Sequence, residues 1–200
     1  MFINKEYILA SSSLSRSRIL KNCGFRFKQV RPLCDEEKIK KLIKKNKIKK
    51  PSLIAKKLSY EKAKSISKEK KYFNKRVIGC DTLICLNNKI YDKANNIEEA
   101  KDKIKKLSGK KHKIISGLTI CINGKKAWQC FEITEVKIRK LDERDIKKYL
   151  KKTGKQILES VGCYQIESLG PNIIENINGD FFNVMGLPLF KLLKYASFDI

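Results

Sequence analysis

Apolar residues run unbroken from Tyr7 to Ala10 in "YILA", and a short continuous run ended by serines predicts a buried strand. From Ser13 to Asn22 the spacing becomes that of a helix, with Ile19 and Leu20 facing inward and a stop at Gly24 in "CGF". Phe25 to Val30 alternates as a second strand. Pro51 and Ser52 open a helix in which Leu53, Ile54, Ala55, Leu58 and Ala63 keep roughly helical spacing. Residues 38 to 50, dominated by lysine, predict a solvated connecting segment; a basic amphipathic membrane binder would need aromatic anchors that this stretch lacks.

"VIGCDTLICL", residues 77 to 86, reads as a central strand that carries Asp81 in its middle. Asn96 to Leu107 predicts a helix closed by Ser108 and Gly109. Two long strands follow, joined by a turn at Asn123-Gly124, a hairpin signal. Asp142 caps a helix through Lys152, residues 157 to 184 mix strand and loop, and "GLPLFKLLKYA" is a terminal helix entered through Pro188. Helices first alternate with strands and then give way to a hairpin, which predicts an α/β fold with a mixed, twisted sheet flanked by helices. At 200 residues, of which 42% are hydrophobic, the chain suits one domain over 1–200.

Charge is the loudest compositional signal: 46 Lys+Arg against 21 Asp+Glu give +25 at pH 7. Nucleic acid or an anionic membrane is the reflex partner for such a surface. Arginine, however, appears only seven times, and scattered lysine suits a solvated surface better than base or phosphate readout. A general drift towards Lys, Ile and Asn accounts for the charge more simply, although a positive field still attracts small polyanions. The seven cysteines are odd in number, widely spaced and never in a CxxC pair, which argues against a disulfide framework and a zinc site. They predict small buried hydrophobes in a reducing compartment. No segment looks like a secretory or membrane-spanning stretch, so the cytoplasm is the expected location.

Two places invite chemistry. An ionised Asp81 inside an apolar strand is costly unless it is paired, hydrogen-bonded or bound to a cation. A salt bridge to a lysine at a strand end would satisfy it as well as a catalytic role would. Ser11, Ser12 and Ser13 sit where a strand feeds a helix, and the free N–H groups of a helix start suit phosphate. Arg16 lies on the same helical face as Ser13 and can fork onto phosphate oxygens. Taken in isolation, an ordinary N-cap is the commoner explanation of such serines. The three Gly-Lys dipeptides all lack the following hydroxyl, so there is no P-loop.

"ILASSSLSRSRIL", "VIGCDTLICLNNKIYDKANNIEEAKDKIKKLSGKKHKIISGL", "TEVKIRKLDERDIKKYL" and "VGCYQIESLGPNIIENINGDFFNVMGLPL" stand in this order. In this order and spacing they resemble the Maf family of nucleoside triphosphate pyrophosphatases, almost end to end and least across residues 38 to 75. The resemblance implies an inosine-triphosphatase-like fold with a cleft across a strongly twisted sheet, often as a homodimer. It implies a hydrolase that cuts a nucleoside triphosphate to monophosphate and pyrophosphate, with a divalent cation, Mg2+ or Mn2+, and a house-cleaning role. Position by position it implies Asp81 as proton acceptor, metal ligand or both, and Glu36 as a metal ligand. Ser11, Ser13, Arg16, Lys62 and Lys93 would bind the phosphates; Ala94 stands where the family's Lys-Pro has proline.

Ser15, Thr82 and Glu167 match positions that go with base preference in the family. Ser15 replaces a second arginine usual in dTTP and UTP enzymes, and Glu167 resembles members associated with 7-methyl-GTP. Thr82 resembles the other group. A carboxylate can accept from the guanine N1–H and amino edge, so the expectation leans to a modified purine. His112 is expected to be structural, as are Phe181 and Phe182 in the core, a turn at Gly179-Asp180 and Trp128 anchoring the hairpin. The alternative class, a basic nucleic-acid-binding or cell-division regulatory protein, would need interleaved aromatics, and residues 38 to 71 hold only Tyr60.

Overall fold

A computed structural model describes residues 5–198 of the chain. Among these residues, seven strands form one mixed sheet flanked by seven α-helices. The strands are β1 (Glu6–Ala10), β2 (Arg26–Val30), β3 (Arg76–Leu86), β4 (Lys89–Tyr91), β5 (Lys111–Ile122), β6 (Lys125–Ile138) and β7 (Ile174–Asn178). The helices are α1 (Leu14–Asn22), α2 (Glu36–Lys45), α3 (Pro51–Ser67), α4 (Ile97–Leu107), α5 (Glu143–Thr153), α6 (Phe181–Val184) and α7 (Leu189–Phe198). The sheet order is β2-β1-β3-β5-β6-β7, with β4 on β3.

β1 pairs in parallel with β2 on one side and with β3 on the other, Ala10 standing opposite both Val30 and Gly79. The chain therefore leaves β1 through α1 in one direction, then returns past it through α2 and α3. In an open parallel sheet, such a reversal opens a crevice beyond the carboxyl ends of the strands. The serine loop between β1 and α1 lies there.

Contacts divide the chain into two compact units. The first takes the residues up to Thr82, Ser116–Glu132 and those from Gly186 onward. In it Ile8, Ala10, Ala63, Ile66, Val77 and Cys121 form a buried cluster. The second takes Leu83–Ile115 and Ile133–Met185, with a core that includes Ile84, Ile104, Leu107, Ile114, Val136 and Tyr149.

The 38 to 50 expectation is corrected: Glu36–Lys45 is a helix, capped by the Asp35 side chain on the Lys38 N–H. Its acidic first turn and basic last turn complement the helix dipole, and Ile39 and Ile43, four apart, are buried. Leu53 points outward on α3, while Ala55, Leu58 and Ala63 face in. Phe181 is 47% exposed and Phe182 half-buried, so neither is a core residue; α6 is a single turn capped by Asp180, too short to bury both rings. The Asn123-Gly124 turn has positive φ at both residues, which the tight hairpin between β5 and β6 needs. Trp128 on β6 stacks on Tyr195 of α7 at 4.9 Å, tying the hairpin to the terminal helix. Cys80, Cys85, Cys121 and Cys163 are buried, and the other three are half-buried.

Candidate active site

Two glycines bring α3 down onto the sheet. A β-carbon at Gly79 would stand 2.2 Å from the Ser59 carbonyl oxygen, and one at Gly117 of β5 would stand 2.4 Å from the Ala55 carbonyl. Only hydrogen fits there. Strand side chains repeat by two, so Asp81 projects from the same face of β3 as Gly79. The seat also holds a buried hydrogen bond of 2.8 Å between Ser59 and Thr119, two residues beyond Gly117. Lys62, next to Ala63 on α3, is thereby set against Asp81.

Lys62 Nζ lies 2.6 Å from Asp81 Oδ1 and 3.0 Å from Glu36 Oε1. Asp81 and Lys62 are buried, whereas the Glu36 side chain is 47% exposed. Burial is the strongest influence and works against the Lys62 ammonium, as does the nearby Arg16 charge, but the Asp81 charge, Glu36 and the hydrogen bond to Asp81 together outweigh both. The pKa is held above the ordinary lysine value, and the lysine stays charged.

Thr82, the next residue on β3, projects to the opposite face and meets α1. Arg16 Nη2 donates to Thr82 Oγ1 at 2.9 Å, Nη1 to Ser11 Oγ at 3.2 Å, and Nε to the Gly186 carbonyl at 2.8 Å. Thr82 and Ser116 of β5 share a further hydrogen bond of 2.9 Å. Gly186 has φ +97, and a β-carbon there would press within 3.2 Å of Thr82 Oγ1. Ser11 Oγ also accepts from the Ser13 N–H, and Ser13 Oγ caps α1 by accepting from the Arg16 N–H at 3.4 Å. From β2, the Gln29 amide donates to the Ser11 and Ser13 carbonyls at 2.8 and 3.3 Å. The helix dipole makes this start of α1, capped by Ser13, an electropositive end.

Ser11, Ser13, Arg16 and Thr82 thus belong to one network, and Glu36, Lys62 and Asp81 to another. Both lie in the first unit, joined through the adjacent residues 81 and 82. Ser15 is half-buried in the first turn of α1. Lys93 and Glu167 lie in the second unit, each exposed, before α4 and before the short 3-10 turn Gly170–Asn172. Gln29, Ser116 and Gly186 escaped the sequence reading. Each is an ordinary residue in its local string; Gln29 and Ser116 are revealed by their places in the sheet, and Gly186 by the return of the chain to Arg16 before α7.

In the second unit His112 is structural. It is buried, with Nε2 2.6 Å from the Tyr164 hydroxyl, and burial pushes its pKa down to about 4.

Asp81 and Glu36 bring oxygens of two carboxylates within 3.0 Å of a single positive centre. An all-oxygen donor set of this kind suits Mg2+ or Mn2+, which take one or two protein carboxylates and complete their shell with phosphate and water. Among the described residues no group of three or more His, Cys, Asp or Glu side chains is gathered, so this pair would rely on such outside oxygens.

The sequence model of the family described as "Maf-like protein" matches residues 6–197. A protein of Pelagibacter ubique named nucleoside triphosphate pyrophosphatase is 35% identical over 96% of this chain and 97% of its own. One of Aquifex aeolicus named dTTP/UTP pyrophosphatase is 37% identical over 94% and 92%. One of Bartonella quintana named 7-methyl-GTP pyrophosphatase is 38% identical over 93% and 91%.

Proposed function

The chain belongs to the family of Maf-like proteins, and from that premise we propose that it hydrolyses a nucleoside triphosphate to the monophosphate and pyrophosphate. The observation that supports this most is the pairing of the buried Asp81 with Lys62 and Glu36 beside the serine loop, where the parallel strands reverse. An acid, two cations and an electropositive helix end are what attack on a polyphosphate requires.

In this reading the triphosphate lies against the start of α1. Water attacks the α-phosphorus; its oxygen forms the new P–O bond, and the bond to the bridging oxygen breaks with its electron pair going to pyrophosphate. A carboxylate oxygen of Asp81 accepts the water proton. Lys62 and the α1 N–H groups offset charge growing on the phosphate oxygens. Asp81 and Glu36 would hold a divalent cation, which would supply Lewis acidity and lower the pKa of a bound water. Arg16, held at three points, fixes the serine loop against Thr82 while offering its remaining N–H groups.

The base is proposed to be a 7-methylated purine rather than thymine or uracil. Relatives named for both substrates have nearly equal identity to the chain, so the preference rests on the carboxylate of Glu167. A panel of canonical and methylated triphosphates, read by pyrophosphate release, tests both levels. Release from 7-methyl-GTP above UTP and dTTP is expected; the reverse order overturns the base assignment, and no release from any of them overturns the activity. Asp81→Asn is expected to lower kcat by about 10²–10⁴, the share of a positioned proton acceptor, with thermal midpoint retained. A folded variant at the parent rate would remove Asp81 from the chemistry.

A further inference from the structure

Resting on the reading above, we propose that Lys62 holds the place of the divalent cation in the nucleotide-free chain, so that metal is taken up only together with a polyphosphate that draws the ammonium away.

Both carboxylates available to a metal already share one ammonium, at 2.6 and 3.0 Å. Lys62 and Asp81 are buried, so their contact is not a loose surface pair, while Glu36 reaches the same ammonium from the solvent side. A cation entering alone must displace that ammonium or lie beside it. The backbone at Lys62 cannot retreat, because α3 is seated on Gly79 and Gly117 with no space beneath it. Lying beside it sums +1 and +2 against −2, an uncompensated positive charge in a buried setting. The four-carbon stem is the part that can move, and an ammonium readily exchanges one oxyanion for another. A triphosphate supplies both what the ammonium needs and the missing negative charge. Metal and phosphate binding are then coupled through one side chain, and the coupling must be reciprocal.

The test is Mn2+ binding to the full chain, followed by calorimetry and by the electron spin resonance of free Mn2+, without nucleotide. Native protein is expected to bind weakly and to gain at least about tenfold when pyrophosphate or a non-hydrolysable α,β-methylene triphosphate is added, a coupling of ordinary size. Lys62→Met is expected to bind Mn2+ at least about tenfold more tightly than native protein without any phosphate, and to lose most of the phosphate-dependent gain. Lys62→Arg, which keeps the charge, is expected to stay weak, and adding Asp81→Asn to Lys62→Met is expected to abolish the gain. Equal affinity in native and Lys62→Met proteins, tight binding by native protein alone, or a Lys62→Arg as tight as Lys62→Met would each overturn the proposal. Pyrophosphate release by the native chain separates the two levels. Activity without the Lys62→Met gain sinks only the cation substitution, and the gain without activity sinks only the assigned reaction.

Discussion

Arg16 reaches three acceptors from three parts of the chain: Ser11 before α1, Thr82 on β3 and Gly186 before α7. A planar fork can do this and a single ammonium cannot. Arg16→Lys is therefore expected to lower stability by about 1–3 kcal/mol through unmet buried acceptors, and to raise KM for the triphosphate more than it lowers kcat. Steady-state kinetics beside thermal melts check this; an unchanged KM would show that the fork does not shape the site. His112 gives a pH prediction. Its folded pKa of about 4 lies below the ordinary 6.5, so the unfolded chain binds more protons between those values. Its contribution is complete above pH 6.5 and lost as pH falls towards 4, roughly 3 kcal/mol in all. Denaturant melts from pH 7 to 4 should show the slope, and His112→Gln should flatten it. Asp81 was legible because a carboxylate in an apolar strand demands a partner. The lysine that answers it comes from a helix and is itself buried, so the salt-bridge reading and the site reading describe one arrangement. Gln29 left no trace in the sequence, since its role is created by the β1–β2 pairing.

Among the elements, α3 does most to place the chemistry, and its position depends on Gly79 and Gly117. Gly79→Ala would put a methyl 2.2 Å from the Ser59 carbonyl and 2.6 Å from the Ala63 nitrogen. Backbone on both sides leaves no rotamer to yield. The expected cost is about 1–3 kcal/mol, a fall of roughly 2–12 °C in Tm, with activity lost beyond what unfolding explains as Lys62 moves from Asp81. Calorimetry and pyrophosphate release below the transition separate the two effects. Helix α3 was readable from Pro51 and its apolar spacing. Helix α2 was not, although Asp35, the acidic first turn and the Ile39–Ile43 pair were all present. Runs of lysine suggested solvation, yet lysine is also a good helix former whose stem leaves two isoleucines free to be buried. Those isoleucines also occupy the apolar face that a lipid surface would have needed.

For the molecule as a whole, the alternation of strand and helix followed by a hairpin announced a mixed sheet flanked by helices, as observed. The two contact units were beyond reach of sequence reading, since each is built from separate stretches of chain and no linker marks a boundary. The net charge of +25 should act as a field, not as a specific contact. We expect KM for a triphosphate to rise by roughly tenfold from about 0.05 M to about 0.5 M salt while kcat stays nearly constant, and duplex DNA to bind negligibly at physiological salt. A salt-independent KM, with duplex binding retained, would favour the nucleic-acid alternative. The bond from Arg16 to Gly186 crosses 170 positions. A ribosome that has made the serine loop, β3 and α3 has still not made the carbonyl that holds the arginine in place. During synthesis the pocket therefore closes only once residue 186 has been made, and a chain halted before it would leave translation with a loose serine loop.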